Sequence, residues 1–441
     1  MKKLFSFALL FFSLQVSAQT WTSIPTGITN LIRGVYFVNS KVGFLCTEPV
    51  LPGNSLILKT IDGGMTWTIF DAGTAASLRS VYFTNAAHGI VCGFNGTIFQ
   101  TNDSGTTWNG IFSGSTQSLR SVTFPSSTIG YICGGGGTLL KTTDGGNSWT
   151  ALSSGITKDL IQVRFADEMN GYTVAGNTTS AMGEVFKTTD GGSTWNSVYS
   201  DSLIGFYALS VINRDTVFVG GKGEKIFKTI NGGTSWNMVS SGISTFPFRA
   251  ADMTNDSSLT FVSHNMISTE NTGATWTNPA TANGQLYCIH FPNFYTGYAA
   301  GEAGILYKYS APCPSIGIMN GISANSNHCQ NDTLFFSVNP TANAENYQWT
   351  IPSGAQLISG QGTIAITMLT DTSSGLIQVY AANGCDTTPT NYFNYTLDGV
   401  PQIPVITISN GVLFSDSPTN NQWILDGVPI AGAIGTPSRI H

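Results

Sequence analysis

Four arginines hold the same position in a β-strand that recurs along the 441-residue chain: Arg33, Arg79, Arg120 and Arg249. In the other copies of the strand this position holds Tyr207, Tyr287 and Ile161. Guanidinium groups bind carboxylates through two parallel hydrogen bonds, and phenols offer a further donor. The chain has only 18 lysines and arginines against 24 acidic residues, for a net charge of −6. Arginines grouped in such a chain predict a binding surface for an acidic or carboxylate-bearing partner.

A structural role for the same arginines is an open alternative. They could pair locally with backbone carbonyls between neighbouring units, which would use up their donors inside the fold. Internal duplication also copies a residue whether or not it has a function. The shared position therefore does not decide between a ligand-binding role and a packing role.

The strands belong to a unit of about forty residues that contains one repeated phrase: Thr, Asp or Asn, Gly, Ser or Thr, then Trp. The Asp or Asn of the six copies is Asp62, Asp103, Asp144, Asp190, Asn231 or Asn271. The tryptophans are Trp67, Trp108, Trp149, Trp195, Trp236 and Trp276, at steps of 41, 41, 46, 41 and 40 residues. Short strands repeated at this period are typical of β-propeller blades.

Seven units can be counted, which predicts an all-β, seven-bladed propeller over residues 19–310. The first strands are expected to begin near Leu31, Leu78, Leu119, Leu160, Phe206, Phe246 and Leu286. The last unit lacks the repeated phrase, so Thr20 to Ile24 is expected to supply its fourth strand and remove a free sheet edge. First strands line the axis of a propeller, so the arginine position predicts a partial ring near one end of a central channel.

The repeated phrase itself predicts structure rather than chemistry. Asp and Asn side chains cap tight turns, Gly supplies positive φ, and Trp offers a large ring for packing between blades. A calcium site is disfavoured because each copy offers one carboxylate, whereas Ca²⁺ takes six or more oxygens. We expect no metal and no cofactor.

The phrase resembles the Asp-box, or bacterial neuraminidase repeat. With the preceding strands, such as LRSVYF (78–83), residues 20–310 resemble the photosystem II stability and assembly factor family. The resemblance implies a seven-bladed scaffold that binds proteins and has no catalytic activity. That family carries an arginine patch, for which Arg33, Arg79, Arg120 and Arg249 are the candidates. Fold alone does not transfer function.

Sialidases share the Asp-box and supply the enzymatic alternative. Their chemistry needs an arginine triad, a Tyr–Glu pair and an acidic Asp, and an Arg-Ile-Pro phrase usually precedes the first box. No Arg-Ile-Pro occurs here, and no glutamate stands beside a tyrosine in the sequence. A glycosidase would need two carboxylates at a defined separation, for which Asp252 and Glu302 are one conceivable pair.

Residues 1–18 read as a secretory signal peptide, with two lysines before an apolar run and cleavage expected after Ala18. The mature protein is therefore expected to be secreted or displayed at the cell surface. Cys46, Cys92 and Cys133 take equivalent positions in second strands and, like Cys288, are expected to be buried thiols.

A second domain is expected over residues 318–400, after a linker at 311–317. The strings YQWTIPSGA (347–355) and IQVYAANGC (377–385) resemble the polycystic-kidney-disease-like immunoglobulin domains of exported bacterial proteins. Trp349 is its expected core residue. Cys329 and Cys385 are proposed to form a disulfide, and Cys313 has no assigned role. Residues 401–441 resemble the start of a further, truncated module, of a kind found in exported proteins of type IX secretion systems.

Together these features predict a secreted or surface-bound, non-catalytic protein that binds a protein or glycan partner through a propeller face. A sialidase-type hydrolase and a purely structural surface component are the alternatives. Loops 48–54 and 177–183 are further expected contact sites. The acidic composition argues against nucleic acid, no apolar run is long enough for a transmembrane segment, and we expect a monomer.

Overall fold

The structure of the protein is a computed structural model. It describes residues 20–176, 182–240, 245–255, 257–324, 333–370, 374–383 and 386–397, together with the backbone of five strands between 406 and 439. The predicted signal peptide lies outside the described residues. Two compact units divide at Cys313 and Pro314, within the predicted linker.

The first unit consists of repeated four-stranded antiparallel sheets, seven of them among the described residues. The innermost strands are β2 (Ile32–Phe37), β6 (Leu78–Phe83), β10 (Leu119–Thr123), β14 (Leu160–Phe165), β18 (Phe206–Val211), β22 (Ala250–Met253) and β26 (Leu286–Asn293). The second strands are β3 (Gly43–Thr47), β7 (Gly89–Gly93), β11 (Gly130–Gly134), β15 (Gly171–Gly176), β19 (Val217–Gly221), β23 (Leu259–Val262) and β27 (Thr296–Gly301).

Two further strands complete each sheet. The third strands are β4 (Leu56–Thr60), β8 (Ile98–Thr101), β12 (Leu139–Thr142), β16 (Gly183–Thr188), β20 (Ile226–Thr229), β24 (Asn265–Thr269) and β28 (Leu306–Ser310). The outermost strands are β5 (Thr68–Asp71), β9 (Asn109–Gly110), β13 (Thr150–Ala151), β17 (Asn196–Asp201), β21 (Asn237–Ser240), β25 (Thr277–Thr281) and β1 (Thr20–Ile24). Short 3₁₀ turns occur at Gly135–Gly137, Lys222–Glu224 and Glu302–Gly304.

The innermost strands contact one another in chain order, and β26 returns to contact β2, so they form a closed ring. Strand β1 pairs antiparallel with β28, and Trp21 stands opposite Tyr309. The N-terminal strand therefore completes the last sheet, as predicted. The predicted all-β class and propeller architecture are confirmed. One strand start was wrong: the sixth innermost strand begins at Ala250 and not near Phe246. Phe246 is 43% exposed, and Phe248 is the aromatic residue that is buried before this strand.

The core of this unit lies between neighbouring sheets. One cluster, for example, joins Phe44 of the first sheet to Phe83 and Trp108 of the second. The rings of Phe44 and Phe83 are stacked at 4.0 Å, and Trp108 meets Phe83 edge-on at 6.1 Å. Second strands are wholly buried, whereas outermost strands are largely exposed. The burial of this apolar surface between sheets is what holds adjacent blades together.

The repeated phrase forms a turn closed by its own side chains. In the first copy, Thr60 Oγ1 donates to Asp62 Oδ1 at 2.8 Å, and Gly64 N donates to Thr60 Oγ1 at 2.9 Å. Thr66 donates to Asp62 through both its hydroxyl and its N–H, at 2.5 and 2.9 Å. These two bonds and the one from Thr60 lower the pKa of Asp62 to about 2. The other five copies repeat the arrangement at Asp103, Asp144, Asp190, Asn231 and Asn271.

The tryptophans that follow these turns pack against aromatic rings of the sheets. Trp67 meets Phe37, Trp149 meets Phe124, Trp195 meets Phe165, Trp276 meets Phe261 and Trp236 stacks on Tyr199. Both the turns and the tryptophans therefore have a structural role. They lie at the end of each sheet that is farther from the start of its innermost strand.

The second unit is a β-sandwich. One sheet contains β29 (Ser323–Ala324), β30 (Thr333–Ser337), β33 (Ala365–Leu369) and β32 (Gln356–Ser359), and the other β31 (Asn346–Thr350), β34 (Gly375–Ala382) and β35 (Asn391–Tyr395). Trp349 is buried in the core between them, and its Nε1 donates to Thr363 O at 2.8 Å. Beyond it lie β36 (Ile406–Ser409), β37 (Val412–Ser415), β38 (Gln422–Leu425), β39 (Val428–Ile434) and β40 (Ser438–Arg439).

The cysteines differ in part from the prediction. Free, buried thiols occur at Cys46, Cys92, Cys133 and Cys288. Cys313, left without a role by the sequence, is disulfide-bonded. The proposed pair, Cys329 and Cys385, lies outside the described residues.

Candidate functional site

The six predicted ligand-binding residues line one cavity of about 660 Å³ on the axis of the propeller: Arg33, Arg79, Arg120, Arg249, Tyr207 and Tyr287. They lie where the innermost strands begin, so we call them the mouth ring. The structure therefore brings together all the residues that the sequence aligned. Ile161, which holds the equivalent position in the remaining innermost strand, lines the cavity as well.

A β-bulge sets the direction of most mouth-ring side chains. The pairing register of β6 with β7 shifts between Leu78 and Ser80, so Arg79 is the extra, unpaired residue. The same shift flanks Arg120 in β10 and Tyr287 in β26. Bulges re-aim side chains and recur next to functional sites. The sequence held no signal for them, because a bulge depends on strand pairing and not on local residue types.

Three of the arginines are paired with carboxylates. Arg33 Nε and Arg79 Nη2 share Glu48 Oε1 at 2.7 and 3.0 Å. Arg120 Nη2 lies 2.7 Å from Asp159 Oδ2. Carboxylates from neighbouring loops, and not the backbone carbonyls considered in the structural alternative, therefore hold these three side chains. Sequence reasoning missed both acids as site residues.

The remaining arginine, Arg249, has no carboxylate within 4.0 Å among the described residues. Its guanidinium lies 5.2 Å from the ring centre of Tyr207 and 5.4 Å from that of Tyr287. Arg33 lies over the same Tyr287 ring at 4.0 Å. Burial lowers the pKa of Arg249, although a guanidinium stays protonated at neutral pH. Arg249 Nε is buried without a partner.

The charge of the mouth ring is unbalanced. Burial, and then the nearby charge of Arg33, lower the pKa of Arg79 to about 10. Glu302 also acts on Arg249 electrostatically from beyond ion-pair distance. Four guanidiniums thus face three carboxylates, from Glu48, Asp159 and Glu302, and the mouth keeps a positive excess in a chain of net charge −6. Such a focus of positive potential attracts anionic groups.

A second polar layer lies three residues further along the innermost strands. Its cavity-lining members are Tyr36, Tyr82, Thr123, Arg164, Asp252 and His290, which we call the deep ring. Sequence reasoning named only Asp252, as half of a possible glycosidase pair with Glu302. The structure does not join that pair in the cavity wall, because Glu302 is absent from the lining and accepts a hydrogen bond from Gln285 N at 3.0 Å.

One sialidase-like feature emerges that the sequence did not show. Tyr287 Oη lies 3.5 Å from Glu302 Oε1, beside Arg33 and Arg249. The shorter hydrogen bond of the phenol goes to Gln285 Oε1 at 3.1 Å. Tyr287 therefore contacts a glutamate through its hydroxyl and two arginines through its ring, although Glu302 itself is absent from the cavity lining.

The predicted contact loops are only partly described. In loop 48–54, Val50 and Leu51 are 53% and 77% exposed. Residues 177–181 of the second loop lie outside the described part of the chain. Among the residues that the structure describes, no helix has the length and apolar character needed to cross a membrane.

Comparison with known proteins finds one matching family model within each unit. Residues 67–155 match the family model of the photosynthesis system II assembly factor YCF48. Residues 317–395 match that of the PKD-like domain. Both resemblances expected from the sequence are thereby confirmed for these segments. No curated protein matches the chain.

Solved structures share the propeller fold. One titled YCF48 bound to D1 peptide is 19% identical, with a TM-score of 0.56 over 66% of this chain and 95% of that one. YCF48 from Cyanidioschyzon merolae is 18% identical, with a TM-score of 0.55 over 66% and 98%. The WD40 β-propeller domain of Doa1 is 10% identical, with a TM-score of 0.52 over 66% and 97%. Likeness at these identities shows the fold alone.

Proposed function

We propose that this protein is a non-catalytic binding propeller that holds an acidic segment of a protein partner at its mouth ring. The observation that carries the proposal is the group of four arginines around one cavity with fewer carboxylates than guanidiniums. The relative titled YCF48 bound to D1 peptide supports a protein ligand for this fold. The YCF48-like match of residues 67–155 supports it further.

Arg249 is the residue that we expect to contact the ligand most directly. The other three arginines already have carboxylate partners, so a ligand must compete with Glu48 or Asp159 for them. Arg249 has no such competitor within 4.0 Å among the described residues. A charge-assisted hydrogen bond contributes about 1.5–3 kcal/mol. Arg249→Ala should therefore weaken binding of an acidic peptide by roughly 10- to 100-fold.

The test is a titration of the mature chain with a library of acidic peptides and their amide counterparts. Arg249→Ala and the Arg33→Ala, Arg79→Ala, Arg120→Ala triple variant should lose the interaction while remaining folded by circular dichroism. Arg214→Ala is the matched control, since Arg214 is 71% exposed, pairs with Asp215 and does not line the cavity. Peptide binding that survives both mouth-ring variants would contradict the proposal.

A sialidase-type hydrolase is the second candidate, favoured by the Tyr287–Glu302 contact beside Arg33 and Arg249. It is the weaker candidate because neither of the two carboxylates in the described cavity wall lies unpaired in the mouth ring. Asp159 is paired with Arg120, and Asp252 lies in the deep ring. Hydrolysis of a fluorogenic sialoside by the parent, with loss in Tyr287→Phe, would establish this function in place of the first.

We further propose that the protein is exported, on the basis of residues 1–18. Cleavage after Ala18 would leave Gln19 as the first residue of the mature chain. Cell fractionation with N-terminal sequencing tests this directly. Recovery of an uncleaved chain in the cytoplasm would contradict it.

A further inference from the structure

The deep ring is a second set of functional groups that the mouth ring does not use. Its members follow the mouth-ring positions by three residues, as Arg79 is followed by Tyr82. Because the bulge adds one residue to the strand, residues three apart point to the same face there, where two apart is the rule elsewhere. Both rings therefore line one continuous cavity, at different depths.

Backbone groups hold two deep-ring side chains in fixed orientations. Phe37 N donates to His290 Nδ1 at 3.1 Å, so the hydrogen of the neutral imidazole is on Nε2. Burial lowers the pKa of His290 to about 3, which keeps the ring neutral. Phe291 N donates to Asp252 Oδ2 at 2.8 Å. These contacts fix the imidazole and the carboxylate before any ligand arrives.

Arg164 is anchored in the same way from across the cavity. Its Nη1 donates to Ser121 Oγ at 3.2 Å and to Val163 O at 3.0 Å. No ion pair joins Arg164 to Asp252 within 4.0 Å in the described structure, although the arginine acts electrostatically on both Asp252 and His290. The guanidinium and the carboxylate thus face a common space without closing on each other.

Aromatic rings form the adjacent wall of this space. Tyr36 stacks on His290 at 4.3 Å and lies 5.0 Å from Tyr82. Tyr82 Oη donates to Phe124 O at 3.0 Å. The deep ring therefore offers hydrogen-bond donors on Arg164 and His290, an acceptor on Asp252, and the aromatic rings of Tyr36 and Tyr82 beside them.

We propose that the deep ring is a binding subsite for a neutral saccharide. At neutral pH the charges of Arg164 and Asp252 are equal and opposite, so binding a ligand of zero net charge leaves the charge balance of this pair unchanged. An anion would meet Asp252 as well as Arg164, and a cation would meet Arg164 as well as Asp252, so neither kind of ion gains from the pair as a whole. Sugar hydroxyls donate and accept at once, which suits a fixed carboxylate beside fixed N–H donors. The cavity volume falls within the usual range of small-molecule sites, about 300–1,000 Å³.

The experiment is calorimetric titration of the mature full-length chain with glucose, galactose, mannose and N-acetylglucosamine. We expect millimolar affinity for at least one sugar. Asp252→Ala and Arg164→Gln should each weaken it at least tenfold, and the exposed control Arg214→Ala should leave it within twofold of the parent. Arg249→Ala at the mouth should also retain sugar binding while losing acidic-peptide binding.

This pattern separates the subsite from the proposed function. Loss of peptide binding without loss of sugar binding, or the reverse, shows that the two rings act on different ligands. If Asp252→Ala fails to fold by circular dichroism, Arg164→Gln decides the outcome. Absence of binding for every sugar in the panel would overturn the inference. So would sugar binding that is abolished by Arg249→Ala but unaffected by Arg164→Gln.

Discussion

Asp252→Asn should stabilise the propeller at neutral pH and leave its stability unchanged in acid. Asp252 lines the cavity in the deep ring, where burial raises the pKa of its carboxyl from 3.8 to about 6. Asparagine has nearly the same shape, and its carbonyl oxygen can still accept the hydrogen bond from Phe291 N. The variant therefore removes the cost of ionising this group without opening a cavity.

The sign and size of the change in unfolding free energy follow from proton linkage. Between pH 4 and 6 the folded state holds the Asp252 proton and the unfolded state has lost it, so stability falls as pH rises through this window. A difference of about two pKa units corresponds to roughly 3 kcal/mol, at about 1.4 kcal/mol per unit. This is an upper limit, because the carboxyl borders a cavity that water can enter. We expect Asp252→Asn to gain about 1–3 kcal/mol above pH 6.

The assay is urea unfolding of parent and variant from pH 4 to pH 8, followed by tryptophan fluorescence. The difference in unfolding free energy should be near zero at pH 4, rise up to pH 6 and stay level beyond. The second unit, which does not contain Asp252, provides an internal reference transition. A variant less stable than the parent at pH 7.5, or a difference that does not change with pH, would refute the reasoning.

Two other substitutions test the mouth ring and the repeated turn. Glu48→Gln leaves Arg33 and Arg79 without their shared anion, so we expect a loss of about 1–2 kcal/mol in thermal or urea unfolding. The same change should tighten acidic-peptide binding, and weaker binding would contradict the assigned charge balance. Asp144→Ala removes the acceptor for Thr142 Oγ1 and Ser148 N, which should lower the melting temperature by roughly 2–4 °C while peptide affinity stays constant.

The fold could be predicted because its signal is repeated and local. Six of the seven units carry a turn whose Thr, Asp or Asn, and Gly form hydrogen bonds within five residues, and a tryptophan follows each turn. The pairing of β1 with β28 followed from an unmatched strand at each end of the repeat. The start of β22 was misplaced because the string FPF (246–248) offers two aromatic residues, and only packing shows that Phe248 is the buried one.

The candidate site could be predicted only in part. The mouth-ring arginines were visible since they share a position in the repeat. Their counter-ions were not, because Glu48 and Asp159 come from loops 15 and 39 residues away from Arg33 and Arg120 and occur once each. The deep ring was hard to predict for a related reason: its members differ in type from blade to blade, and for all of them except Asp252 a bulge in the innermost strand places them on the cavity face.

The bulge also explains why residues as different as arginine, tyrosine and isoleucine can occupy the mouth-ring position in different blades. A bulged residue lies outside the ladder of paired residues, so exchanging its side chain does not disturb the hydrogen bonds of the sheet. The residue two positions later is paired and buried, as Val163 is against Thr173. Ile161→Tyr, which introduces the residue type of the next blade, should therefore melt within about 2 °C of the parent.

Val163→Tyr is the matched variant, since it adds the same side chain to the same strand at a fully buried position. Overpacking there should cost roughly 1–3 kcal/mol or more and lower the melting temperature by several degrees. Equal destabilisation by the two variants would mean that the bulge position is constrained by packing after all. In that case Arg33, Arg79 and Arg120 would have to be explained by packing within the fold. The ligand-binding role would then rest on Arg249 alone.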